Sequence, residues 1–184
     1  MSAKPTKEPK LFLTVGHSTH PLEEFLALLR THEVTRLADV RKMPRSATNP
    51  QFNIDTLPLA LKGAGIDYVH LPGLGGLRRP RPDSPNGAWR NRSFQGYADY
   101  MLTAEFTAAL EELIELGRRQ RVVLMCAEAV PWRCHRSLIA DALVARGFTV
   151  EDILGPGRRQ VHKLREWACL CGTEVTYPAT EPVG

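Results

Sequence analysis

The sequence predicts an α/β fold: one domain built on a doubly wound, mostly parallel sheet of about five strands, with helices on both faces. Three observations predict it. Short apolar runs alternate along the chain with segments of helical period. Four of those runs, TVGHS, LADVRKMPRS, VHLPGLGG and VLMCAEAVPWRCHR, pass directly into polar residues, as parallel strands do at their shared carboxyl edge. The length, 184 residues, suits a single domain with one substantial core.

The elements follow in order. Residues 1–10, MSAKPTKEPK, read as a disordered basic arm, and 11–167 as the domain. Leu11 to Val15 is an apolar run without helical period, closed by Gly16, and reads as the first strand. Pro21 opens a helix where its missing N–H costs nothing, Glu23 and Glu24 sit in its first turn, and Leu22, Phe25, Leu26 and Leu29 form its apolar stripe. Leu37 to Val40 is the second strand. Asn53 is placed to cap a helix carrying Ile54, Leu57, Leu61 and Ala64 on one face, with Gly65 near its end. Tyr68 to Leu71 is the third strand. Gly73 to Arg92 holds four Gly, three Pro and five Arg and reads as a long loop, of a length that is usually functional or mobile.

Helical pattern returns at Ser93, breaks near Thr103, and resumes with Phe106, Ala109, Leu110, Leu113 and Ile114 on one face. Val122 to Met125 is wholly apolar, the signature of a central strand covered on both faces. A helix from Trp132 to Arg146 buries Leu138, Ile139, Ala142 and Leu143 and stops at Gly147. Thr149 to Leu154 is the fifth strand. Residues 168–184 are weakly patterned and read as a frayed tail.

Composition bounds the function classes. A hydrophobic fraction of 43% and a charged fraction of 24% are ordinary for a globular chain. No apolar run approaches the ~20 residues of a membrane helix, so no membrane partner is expected. The start lacks the apolar core of a signal peptide. Four cysteines without such a signal point to free thiols in a reducing, cytoplasmic setting. The net charge of +4 and pI near 9.0 permit an anionic partner, either a small molecule or a nucleic acid.

If the strands are parallel, Gly16, His17, Ser18, Asp39, Arg41, Cys126, Glu128, Cys134, His135 and Arg136 meet at one edge. A helix N-terminus after Cys126 favours negative charge and, with Arg133 or Arg136, a reactive thiolate at Cys126 or Cys134. The alternative is a small buried apolar cysteine. Seven residues lie between Cys126 and Cys134, wider than the spacing of about two to four in common zinc signatures. Cys134 and His135, adjacent, would diverge on a helix. A metal set of Cys126, Glu128, Cys134 and His135 is therefore considered but not assigned, and no cofactor is implied. Glu128 follows a buried strand, where a carboxylate needs a paired cation or acts as an acid or base. Asp39 and Arg41 alternate onto one side of their strand, as an ion pair or as a substrate clamp. Gly16 permits close backbone approach to a ligand, and His17 offers a proton carrier. His20, His32, His70 and His162 read as surface or capping residues. Arg78 and Arg79 in the long loop, beside Trp89, Phe94, Tyr97 and Tyr100, suit phosphate contact and base stacking, unless the aromatics are core.

The segments TVGHSTHPLEEFLALL, LADVRKMPRSATNPQFN, GIDYVHLPGLGG, YADYM and LMCAEAVPWRCHRSLIADALVARG resemble the bacterial family known as domain of unknown function 488, from about residue 11 to residue 155. The GHS turn, the DVR-x-x-P-x-S segment and the CAE and CHR pair occur in the family's order. Where the family carries Ser-Arg after the DVR segment, this chain has Ser46-Ala47. The resemblance implies an α/β protein with a polar site at these motifs and supplies no reaction. Three functions stay open: an enzyme acting on an anionic, nucleotide-related substrate; a nucleic-acid-binding module without catalysis; and a thiol redox or metal-binding protein.

Overall fold

The computed structural model describes residues 11–180, so the arm expected over residues 1–10 lies outside the described residues. Strands β1 (Leu11–Gly16), β2 (Arg36–Asp39), β3 (Asp67–His70), β4 (Val122–Cys126), β5 (Thr149–Gly155) and β6 (Arg158–Val161) form one sheet in the order β3-β2-β4-β1-β5-β6. The first five are parallel, and β6 runs antiparallel to β5. All five expected strands form. The sixth is exposed along its length and carries no apolar alternation for a sequence reading to detect. Its position comes from the tight turn at Gly157, whose φ is +65°.

The helices divide between the two faces. Helices α1 (Leu22–Thr31) and α2 (Leu57–Gly63) bury Phe25, Leu29, Leu57 and Leu61 against Leu13, Val15, Leu37, Val123 and Met125. Helices α3 (Arg92–Tyr100), α4 (Ala104–Arg119) and α5 (Arg136–Ala145) bury Tyr97, Phe106, Leu110, Leu138 and Leu143 against the opposite face, on Phe12, Ala38, Val122 and Leu124. The break near Thr103 forms as expected, because the Thr103 side chain accepts from Phe106 N–H and starts α4.

Two helix starts are corrected. The second helix begins at Leu57 rather than Asn53, because Asn53 Oδ1 accepts instead from the Ser46 N–H at 2.7 Å. The last begins at Arg136 rather than Trp132. Pro131–Arg133 is a short 3₁₀ turn, and Cys134 is extended at φ −130°, ψ 146°.

The long arginine loop is tied down. Buried Asp99 accepts from Arg81 N–H (2.8 Å), Ser84 Oγ (2.6 Å) and Asn86 Nδ2 (2.7 Å). Asn86 Oδ1 in turn accepts from Tyr177 N–H at 2.8 Å.

The frayed tail is also corrected over residues 168–180, residues 181–184 lying outside the described residues. Strands β7 (Cys169–Cys171) and β8 (Glu174–Thr176) form a hairpin, with Val175 and Tyr177 buried in the core under α5. Asp141, fully buried on α5, accepts from Tyr177 Oη (2.6 Å), Arg165 and His162 Nε2 (2.6 Å). His162 is therefore no surface residue, whereas His32, buried and bonded to the Gly155 carbonyl, stands as expected at the carboxyl cap of α1. No helix among the described residues is long and apolar enough to cross a membrane.

Removing the Asp141 carboxylate leaves half-buried Arg165 without its counter-charge and the Tyr177 hydroxyl without its acceptor. We expect Asp141→Ala to cost about 3–5 kcal/mol and Tyr177→Phe about 1–2 kcal/mol in guanidinium unfolding at neutral pH. Equal stability of Asp141→Ala and wild type would mean the tail is not anchored in this way.

Candidate active site

Strands β1 and β4 are neighbours, yet β1 turns out to α1 on one face and β4 to α5 on the other. Their carboxyl ends therefore diverge and open a crevice, as at the switch point of other doubly wound sheets. A cavity of about 500 Å³ occupies it. His17, Ser18, Arg41, Cys126, Glu128, Cys134 and His135 line the cavity, as the parallel-edge argument expects. Gly16, Asp39 and Arg136 lie among the residues that support these and are not in the lining. Arg78 and Arg79 are outside it altogether: Arg78 donates to the Gly75 carbonyl and stacks over Tyr100 at 3.6 Å, and Arg79 is exposed. Tyr97 and Tyr100 are spoken for as well, donating to the Leu74 and Gly73 carbonyls.

Arg136 is the centre of one half of the site. It is 1% exposed, with no carboxylate in ion-pair contact among the described residues. Nη1 reaches Cys126 Sγ at 2.6 Å and the Glu128 carbonyl at 2.7 Å, and Nη2 reaches the Ala129 carbonyl at 3.4 Å; Nε is buried without a partner. Burial pulls this guanidinium down to about 10, while Asp152 and Glu128 act in the opposite direction. It remains a cation at neutral pH. Two expectations are corrected by this arrangement. Glu128 is exposed, so its carboxylate needs no buried partner; what Arg136 uses is its backbone carbonyl. Gly16 admits this carbonyl rather than a ligand, since a Cβ at Gly16 would stand 1.7 Å from Glu128 O.

The cysteines are also corrected. Cys126 and Cys134 are paired, their sulfurs in bonding contact and their Cα atoms 7.3 Å apart, whereas Cys169 and Cys171 are free and exposed. Cys134 precedes α5 instead of lying on it, so its side chain does not diverge from its neighbour. His135 Nδ1 sits 3.6 Å from Cys134 Sγ, and the first amide of α5 donates to that sulfur at 3.5 Å. His135 Nε2 bonds the Val40 carbonyl at 2.8 Å, and the Leu74 carbonyl also bonds the ring. Burial pushes His135 down to about 4, with its carbonyl bond opposing.

Asp39 and Arg41 build the other half. Fully buried Asp39 accepts from Arg41 Nε (2.9 Å), Arg41 Nη2 (2.7 Å) and Tyr68 Oη (2.7 Å). Arg41 Nη2 also donates to the Phe52 carbonyl, and Nη1 to His17 Nε2 at 3.3 Å. His17 Nδ1 donates to the Ser18 carbonyl at 2.8 Å, and the ring stacks on Phe52 at 4.3 Å. Burial lowers the His17 pKa, and Arg41 adds to the effect. Both ring nitrogens are thus occupied in the neutral form. Arg41 also lines the cavity and contacts His17 there through Nη1. His70 is not a surface residue either, as its Nε2 bonds the Arg41 carbonyl at 2.7 Å.

Sequence reasoning missed the other wall: Lys42, Met43, Arg45, Ser46 and Asn49 after β2, with Gly76 and Leu77 facing them. The signal was present in LADVRKMPRS, where lining residues simply continue past Arg41. Met43 and Leu77 are 70% and 73% exposed, and Leu77 holds φ +61°, unusual for a leucine. Among the described residues no three His, Cys, Asp or Glu side chains converge as a metal set.

Gly16→Ala drives a methyl into backbone that cannot rotate away, so we expect a loss of about 3 kcal/mol or more by chemical denaturation. A near-neutral result would mean the β1 and β4 ends do not meet as described. The histidines set a pH response. An unfolded His135 takes up a proton near 6.5, whereas the folded ring does so only near 4. Its contribution is therefore complete above pH 6.5 and is lost as pH falls toward 4, up to roughly 3 kcal/mol, with His17 acting in the same sense. Urea midpoints across this range should fall in the wild type and flatten in His135→Gln.

No curated protein and no solved structure matches the chain. One family model does, over residues 21–143, a narrower span than the motifs suggest and one that begins after the GHS turn. It covers Asp39, Arg41, Cys126, Glu128, Cys134, His135 and Arg136, and on this match the chain belongs to the family described as domain of unknown function DUF488.

Proposed function

We propose that the crevice is the active site of an enzyme acting on an anionic, nucleotide-related small molecule. The observation that carries this reading is the pairing, at one cavity, of Arg41 with a cysteine sulfur contacted by a buried guanidinium that has no carboxylate in ion-pair contact among the described residues. A buried cation calls for an anion, and in the reduced protein Cys126 is the group at hand to supply it as a thiolate. Arg41, held rigid by Asp39 and by neutral His17, orients the anionic part of the substrate, with exposed Lys42 beside it. Met43 and Leu77 form an apolar mouth suited to a flat base. Cys126 is the nucleophile, and the Glu128 carboxylate, exposed at the cavity, transfers the proton to or from the leaving group.

His17 has a supporting role in this scheme. Protonating it would set a cation against Arg41, so it positions the guanidinium rather than carrying protons.

The test is a panel of nucleoside monophosphates and bases, read by protection of reduced Cys126 from iodoacetamide and by direct titration. At least one member should slow labelling, and Arg41→Ala should weaken that ligand about tenfold or more. Lys42→Ala, at the surface, provides a variant that does not risk the fold and should weaken it less. If no panel member protects Cys126 and neither substitution alters any binding, the assignment is wrong. Steeply salt-dependent binding of single-stranded oligonucleotides that survives Arg41→Ala would instead favour a nucleic-acid module.

A further inference from the structure

We propose that Cys126 and Cys134 form a peroxide-reducing thiol pair, in which Cys126 attacks the peroxide and Cys134 resolves the product. The proposal shares the ionised Cys126 with the function above but needs neither the substrate nor Arg41.

The two sulfurs differ in their surroundings, and the difference assigns the roles. Cys126 Sγ lies 2.6 Å from Arg136 Nη1, the cation without a carboxylate, so the reduced form favours the thiolate there. Cys134 Sγ has the first amide of α5 at 3.5 Å and neutral His135 Nδ1 at 3.6 Å but no guanidinium in contact, so the thiolate is favoured at Cys126 over Cys134. Both sulfurs line the cavity, which admits a molecule the size of a hydroperoxide, and they already touch each other.

The steps balance. The Cys126 thiolate attacks the terminal peroxide oxygen; the O–O bond breaks, a sulfenic acid forms at Cys126, and the departing alkoxide or hydroxide takes a proton from water. Cys134 then attacks Cys126 through its sulfur as its thiol proton passes to the departing hydroxide. The S–O bond breaks, the S–S bond forms, and hydroxide leaves as water with that proton. The peroxide gains two electrons and the cysteines lose them; an external dithiol returns them.

The experiment uses the full chain with Cys169→Ser and Cys171→Ser, which removes the free exposed thiols and leaves the crevice intact. The reduced protein is treated with stoichiometric hydrogen peroxide and read by intact mass and peptide mapping. The expected result is loss of two hydrogens, reversed by dithiothreitol. Cys134→Ser should accumulate one dimedone adduct on Cys126, and Cys126→Ser should form neither bridge nor adduct. Arg136→Gln should slow the reaction about tenfold or more. If that variant does not fold, the wild-type Cys126 should still react about a hundredfold faster than Cys169 in the unaltered chain. A dimedone adduct on Cys134 in Cys126→Ser, with none on Cys126 in Cys134→Ser, would reverse the roles and overturn the proposal. So would two intact thiols after treatment. Nucleotide protection read in the reduced protein is unaffected by either outcome, so the two readings fail separately.

Discussion

A guanidinium buried without a carboxylate is costly unless the surrounding chain supplies acceptors. Here the chain does so with backbone. Arg136 holds the carbonyls of Glu128 and Ala129 and the sulfur of Cys126, so one side chain fixes the turn leaving β4, the entry to α5 and the first cysteine. Gly16 belongs to the same arrangement, because only a residue without Cβ lets the Glu128 carbonyl pass the end of β1. The ladder between β1 and β4 continues past both strands as a result, with His17 N–H on the Cys126 carbonyl and Ser18 N–H on that of Ala127. The crevice floor is therefore backbone bound to backbone, which gives the thiols a rigid setting.

The second arginine is treated in the opposite way. Arg41 has its carboxylate, Asp39, two residues back on the same strand side, and Tyr68 from β3 completes the Asp39 oxygens. This pair follows from strand alternation alone. What alternation does not specify is the stack of His17 on Phe52 and the Phe52 carbonyl that takes Arg41 Nη2. Both arise because the segment after β2 folds back beneath the crevice before α2 begins. Arg41 lines the crevice with its carboxylate beside it, while Arg136 lies behind the lining and reaches it through Cys126, and that asymmetry divides binding from thiol chemistry in the function proposed above.

Support for the fold comes from places the periodic pattern does not reach. Asp99 binds the arginine loop and Asp141 binds the tail, and Asn86 links the two through Tyr177. A run of Gly, Pro and Arg reads as mobile because such residues have no apolar periodicity. One buried carboxylate on α3 ties it down, accepting one backbone donor, from Arg81, and two side-chain donors, from Ser84 and Asn86. Likewise, hairpin β7–β8 is held by the burial of Val175 and Tyr177 under α5 rather than by its own composition.

The sequence by itself determined the alternation of strands and helices, the shared edge where the motifs end, and the residues that gather there. These depend on local period and on the handedness of crossovers, both of which neighbouring residues encode. Tertiary structure alone decided which groups touch. Cys134 sits beside His135 Nδ1 because Pro131 and the extended Cys134 delay the helix to Arg136. Glu128 contributes a carbonyl where a carboxylate was expected, because Gly16, more than a hundred residues earlier, leaves room for it. The lining by Lys42, Met43 and Leu77, and the exclusion of Arg78, depend on how two loops pack across the sheet edge. Contacts of that kind are set by partners distant along the chain, and no local pattern carries them.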